Sequence, residues 1–172
     1  MDLRSHVRTV PDFPKAGILF RDVTPLLQDP MCLKEVITQM AQHFSGTRVD
    51  HVVGIESRGF IFGTPLAYHL GAGFVPVRKP GKLPPAVLSQ SYSLEYGEDR
   101  LEIRDQIFRR GERVIIVDDL IATGGTAQAA GELVQQAGGE LCGYAFVIEL
   151  AGLQGRQRLP KDIPVHVLIS YD

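Results

Sequence analysis

The chain has no tryptophan and only two cysteines in 172 residues. Cys32 and Cys142 lie far apart and match no CxxC or Cys/His ligand spacing, which argues against structural zinc and fits a reducing compartment. No apolar run approaches the roughly 20 residues of a membrane span. Met1 to Val10 is polar and lacks the apolar core of a secretory signal, so the expected location is the cytoplasm, with no membrane partner. Neither sign of charge dominates: 18 Lys and Arg stand against 20 Asp and Glu, for a net charge of -2. That balance leaves no electrostatic footprint for nucleic acid over the chain as a whole. A composition of 44% hydrophobic and 22% charged side chains is that of one soluble domain,. A chain of this size can bury about 70% of its unfolded surface without a staple, so residues 1–172 are expected to form one domain. What is plentiful is 18 Gly and 11 Pro, positions of free and fixed φ that imply several shaped loops.

Asp29-Pro30 followed by Leu33, Val36, Ile37, Met40, Ala41 and Phe44 combines an N-cap, a proline at the first helical position and a 3.6-residue apolar stripe. The spacing predicts an amphipathic helix. His51 to Ile55 and Arg113 to Val117 are β-branched and apolar at successive positions, as in strands covered on both faces. Each runs into a polar, Gly-containing loop and then a helical pattern, Phe60 to Leu70 and Thr126 to Ala137. Gly138-Gly139 stops the latter before a further strand, Leu141 to Leu150. Alternation of this kind predicts an α/β domain with a mostly parallel central sheet flanked by helices, and ligands beyond the carboxyl ends of its strands. Pro76 to Gln106 breaks the pattern with a basic Pro/Gly stretch and two alternating segments. It reads as a β-hairpin or lid inserted in the sheet layer.

Val114 to Thr126 is the most informative stretch. A buried strand delivers Asp118 and Asp119 to its end, and Ala122-Thr123-Gly124-Gly125-Thr126 then opens a helix. Backbone amides, two hydroxyls and the helix dipole suit a phosphate. The adjacent carboxylates would repel that phosphate unless they serve sugar hydroxyls, a combination that a ribose 5-phosphate satisfies. No GxxxxGK[ST] or strand-linked GxGxxG occurs, which excludes those nucleotide loops. Glu56-Ser57-Arg58-Gly59 reads either as a helix start with a surface arginine or as an anion site at a helix N-terminus with Arg58 as a donor fork. Arg78, Lys79 and Lys82 read as a solvated basic turn or as further anion contacts. By itself Ile18 to Phe20 is a buried apolar stretch before a turn. The five histidines have no paired spacing, and no metal ligand can be named.

Together with Phe13 to Asp22, Glu56 to Phe60, Arg78 to Pro84 and Ser93 to Gly97, the Val114 to Thr126 segment resembles the type I phosphoribosyltransferases, and among them those that use adenine. The blocks are collinear from Pro11 to about Glu149. The resemblance implies transfer of the 5-phosphoribosyl group from phosphoribosyl pyrophosphate to adenine, giving AMP and pyrophosphate in purine salvage. It also implies a small N-terminal hood at 1–28 and a lid at 78–106. Asp118 and Asp119 would hold the ribose hydroxyls, and Ala122 to Thr126 the 5-phosphate. Glu56, Ser57, Arg58, Arg78, Lys79 and Lys82 would serve pyrophosphate, with a cis peptide at Glu56-Ser57. The backbones of Leu19 and Arg21 would read the adenine edge, with Phe20 and Leu120 on its faces. Glu95 would manage the proton at N7, and Tyr96 would cap the lid. Mg2+ held mainly by phosphoribosyl pyrophosphate and a homodimer are implied as well. A phosphoribosyltransferase for another base and a non-catalytic sensor of phosphoribosyl pyrophosphate are the alternatives. The block Phe13-Pro14-x-x-Gly17-x-x-Phe20-Arg21-Asp22 argues against the first, and the length and near-neutral charge against the second.

Overall fold

A computed structural model describes residues 1–94 and 97–172, so Glu95 and Tyr96 lie outside the described residues. A 3-10 turn (Leu3–His6) leads into an antiparallel ribbon of β1 (Arg8–Pro11) and β2 (Leu19–Asp22). Then follow α1 (Thr24–Gln28), α2 (Pro30–His43), β3 (His51–Ile55), α3 (Arg58–Leu70) and β4 (Gly73–Val77). A hairpin of β5 (Val87–Leu94) and β6 (Gly97–Arg104) precedes β7 (Arg113–Ile121), α4 (Gly125–Gln136), β8 (Glu140–Leu150) and β9 (Val165–Tyr171).

The central sheet has the order β4-β3-β7-β8-β9, and every pairing in it is parallel. Its strands are apolar on consecutive positions because both faces are covered. In β7, Val114 and Ile116 pack with α4, while Ile115 and Val117 pack with α2 and α3. The start of α2 follows from its first residues: the Asp29 side chain accepts from the Met31 and Cys32 amides at 2.8 and 3.1 Å, and Pro30 occupies a position whose N–H would have no helical partner.

Four features depart from the sequence expectations. β7 runs through Asp118 and Asp119 to Ile121, where a loop was expected after Val117, because the long β8 goes on pairing with it at Asp118↔Phe146, Leu120↔Ile148 and Ile121↔Glu149. Strands β4 and β9 close the two edges. Pro76 disguises β4, although an edge strand tolerates the missing N–H. The hairpin is a separate two-stranded ribbon rather than part of the sheet layer; an Arg78↔Glu102 bridge ties its base down, and Leu101 and Ile103 are buried in the α4-side core. Finally, Ile18 and Leu19 are exposed, at 36% and 55%, and only Phe20 turns partly inward, edge-to-face against Phe13 at 5.2 Å. A two-stranded ribbon offers the body one face and leaves the other to solvent.

Phe62 of α3 is fully buried in the cluster between the helices and the sheet. Phe62→Ala is expected to cost about 3–5 kcal/mol by chemical denaturation; a loss under about 1 kcal/mol would contradict this packing.

Candidate active site

The crossover helices decide where a ligand can sit. Helix α3, after β3, packs on one face of the sheet, and α4, after the neighbouring β7, packs on the other. A crevice opens between the two strand ends, the position where parallel sheets bind ligands. A cavity of about 370 Å³ lies there. Its floor is the last turn of β7, its walls the β3–α3 and β7–α4 loops, and Lys79 and Tyr92 reach in from the hairpin side.

Both loops end in helices without a side-chain cap, at Ser57 and at Gly124. The first amides of α3 and α4 are therefore available to an anion in the crevice. The second loop is shaped by close approach. Gly124 has φ +85, and a Cβ there would collide with the Gly155 carbonyl; one on Gly155 would collide with the carbonyl of Ala122. The turn after β8 thus supports the β7–α4 loop from below. Gly59 lets α3 approach β7, since a Cβ there would lie 2.8 Å from the Val117 carbonyl and 3.1 Å from Asp118 Oδ1. The Glu56-Ser57 peptide is cis, as the resemblance implied; Phe13-Pro14 and Pro85-Ala86 are cis as well.

The charges of the crevice are organised in two groups. Arg58 Nε donates to Asp119 Oδ2 at 2.5 Å. Asp119 is 5% exposed, and its backbone N–H donates to Asp118 Oδ1 at 2.9 Å. Burial, and then the charge of Asp119, push the Asp118 carboxyl well above the ordinary carboxylate range. The second group gathers on Glu56. Lys82 Nζ lies 2.6 Å from its carboxylate, the Lys79 amide 2.8 Å and the Arg78 guanidinium 3.3 Å. Burial works to raise its pKa, but these donors outweigh that and hold it at about 2. Lys79 Nζ pairs with Asp99 and donates to the Tyr92 hydroxyl at 2.9 Å.

Of the residues singled out by sequence, Glu56, Ser57, Arg58, Lys79, Asp118, Asp119, Leu120, Ala122, Thr123, Gly124 and Thr126 line the cavity. Gly125 is buried behind it, beside Ser93 and Tyr92. Arg78 and Lys82 reach Glu56 without lining the cavity. Phe20 and Arg21 border a second, mainly apolar cavity of about 540 Å³, and Arg58 lines both. The half-buried Arg21 side chain donates to Thr9 Oγ1 at 2.6 Å and lies over the Tyr171 ring at 3.9 Å, with its Nε buried and unpaired among the described residues. Leu19 lines neither cavity. Sequence reasoning missed Asp99 and Gly155, and it gave Tyr92 no place in the site. Gly155 follows the β7–α4 loop by about thirty positions, and nothing local marks it.

The model of the phosphoribosyl transferase domain matches residues 22–171. An adenine phosphoribosyltransferase of Synechococcus sp. (strain JA-3-3Ab) is 62% identical, covering 98% of this chain and 97% of that protein. The crystal structure of the adenine phosphoribosyltransferase from Rhodothermus marinus superposes with a TM-score of 0.94 at 54% identity, over 98% of this chain and 96% of that one. The Saccharomyces cerevisiae enzyme, complexed with an imino-altritol bisphosphate and adenine, superposes with a TM-score of 0.91 at 46% identity, over 97% of this chain and 96% of that one. With this cavity at its sheet crossover, this domain match and these relatives, the chain belongs to the phosphoribosyltransferase family.

Proposed function

We propose that the protein transfers the 5-phosphoribosyl group of phosphoribosyl pyrophosphate to adenine, releasing AMP and pyrophosphate. The carrying observation is the order of groups across one crevice: an uncapped helix start at Gly124, the Asp118-Asp119 pair, and an uncapped helix start at Ser57 ringed by cations. Anion site, hydroxyl acceptors and anion site match phosphate, ribose and pyrophosphate in that order.

In this reading Ala122 to Thr126 hold the 5-phosphate, and Asp118 and Asp119 hold the ribose hydroxyls. The Ser57 and Arg58 amides, with Arg58, Arg78, Lys79 and Lys82, receive pyrophosphate. Glu56 does not bind it through its side chain, since a carboxylate would repel it; its role is to converge Arg78, Lys82 and the Lys79 amide. During transfer the C1–O bond to pyrophosphate breaks, the N9–C1 bond forms and positive charge develops on the sugar. The carboxylates beneath the ring stabilise that charge where it appears. Adenine lies between Phe20 and Leu120, its edge read by the Leu19 and Arg21 backbones, which fits an Arg21 side chain engaged elsewhere. Glu95 takes up the proton that the base must exchange, and Tyr96 caps the closed lid, formed by residues 78–106 over a hood at 1–28.

A hard divalent cation takes oxygen ligands. The cavity offers the carboxylates of Asp118 and Asp119, the latter already paired with Arg58, so Mg2+ fits as an ion held mainly by the substrate's own oxygens. When bound, it supplies charge neutralisation on the departing pyrophosphate. The exposed Ile61 and Tyr68 of α3, at 45% and 89%, supply apolar surface for a homodimer. Two free cysteines fit a cytoplasmic enzyme.

The test is nucleotide formation from Mg2+, phosphoribosyl pyrophosphate and each of adenine, hypoxanthine, guanine and orotate. AMP is the expected product; no product with adenine overturns the reading, and product with another base alone replaces it. Asp118→Asn with Asp119→Asn is expected to retain the fold by circular dichroism and lose turnover, and near-normal turnover would refute the role of the pair. Glu56→Gln is expected to raise KM for phosphoribosyl pyrophosphate about tenfold, the effect of about 1.4 kcal/mol, with little change for adenine. Because the folded-state pKa of Glu56 lies below its ordinary 4.5, at about 2, its contribution to stability is present above 4.5 and fades as pH falls toward 2. The Gln variant should therefore lose stability at neutral pH and show a weaker acid dependence in that window.

A further inference from the structure

Far from the crevice in function, the start of α2 brings together three side chains that sequence spacing keeps apart. His6 of the 3-10 turn, Asp29 and Cys32 each present a ligand atom within 4.8 Å of the other two. We propose that these residues form a binding site for a borderline first-row divalent cation, zinc in the first place, which ties the N-terminal turn to α2.

The chemistry of each donor favours coordination. His6 Nδ1 lies 3.1 Å from the Asp2 carbonyl. Ser5 Oγ lies 3.2 Å from the same nitrogen, and in the tautomer whose Nδ1–H donates to the carbonyl, Nε2 carries the lone pair. A backbone carbonyl holding the far side of the ring is the usual support of a metal-bound histidine. Asp29 caps α2 through Oδ1, which accepts from the backbone amides of Met31 and Cys32, and its carboxylate also interacts with the Cys32 thiol, whose proton a metal would displace. Cys32 is fully buried, and the sulfur of Met1 lies 3.5 Å from its Sγ, adding a second soft atom on the same side. One imidazole, one thiolate and one carboxylate make a donor set suited to zinc rather than to magnesium.

Tetrahedral zinc with bonds of about 2.0 to 2.3 Å separates its ligand atoms by about 3.5 Å. Binding draws the three ligand atoms from their present separations, all within 4.8 Å, to that spacing. Binding exchanges the thiol proton of Cys32 for the metal, which releases one proton to solvent. Access is through a cavity of about 420 Å³ bordered by His6, Pro25, Gln28, Asp29 and Pro30, which leaves the fourth position open to water. The site would brace the turn that leads directly into the β1–β2 ribbon, and hence the wall of the apolar cavity at Val10 and Phe20.

Cobalt replaces zinc as a visible probe. The full chain, reduced and with Mg2+ present, is titrated with Co2+, and thiolate-to-cobalt charge-transfer absorption is expected to saturate at one equivalent and to vanish when Zn2+ is added. The band should persist in Cys142→Ser and disappear in Cys32→Ser. In His6→Gln and in Asp29→Asn, where asparagine still caps the helix, affinity should fall about tenfold or more. Circular dichroism confirms that each variant is folded, and the His6 and Asp29 variants decide the matter if Cys32→Ser is not. No band in the unaltered chain, a band that survives Cys32→Ser, or unchanged affinity in both His6→Gln and Asp29→Asn would overturn the proposal.

Discussion

The parallel pairing of β3 with β7, Val52 opposite Ile115 and Gly54 opposite Val117, is the constraint on which the crevice depends. A right-handed crossover must return each helix over the sheet, and here the two helices return over opposite faces. The strand ends are left uncovered between them. The loop after β3, the loop after β7 and the hairpin, whose residue Glu102 is bridged to Arg78, all border this gap. Both strands are buried on each face, so the gap has a rigid floor.

Within that gap the protein compensates its own charges before any ligand arrives. Arg58 lies against Asp119, and Lys82, Arg78 and the Lys79 amide lie against Glu56. A net charge of -2 is thus the sum of local oppositions rather than an absence of charge. Such pairing holds long basic side chains near one place, which lowers the entropy lost when an anion takes them over. Asp118 is the exception: it has no salt bridge among the described residues, and desolvation together with the neighbouring charge of Asp119 drives it toward its neutral form.

Much of this was legible in the chain because the relevant signals are local. Asp29-Pro30 announced α2, and the β-branched runs at His51 and Arg113 announced the two central strands. Thr123 to Thr126 announced the glycine-bearing turn that opens α4. The missed features depend on partners. The extension of β7 through Asp118 to Ile121 exists because β8 is long enough to pair with it. The exposure of Leu19 follows from a ribbon that has no layer above it. Gly155 matters only because the turn after β8 passes beneath Gly124, and the gathering of donors on Glu56 exists because Arg78, Lys79 and Lys82 of the β4–β5 connection fold back onto it.

The class of fold, the helices α2 to α4 and the strands β3, β7 and β8 could be read from the chain alone, since periodicity, capping and glycine-bearing turns act over a few residues. Tertiary structure alone decided which of those residues share a cavity, which charges neutralise one another, and that His6 meets Asp29 and Cys32. Those outcomes require chain segments tens of residues apart to be brought within a few ångströms, and it is the packing of α3 and α4 on opposite faces of the sheet, and of the N-terminal turn on α2, that brings them there.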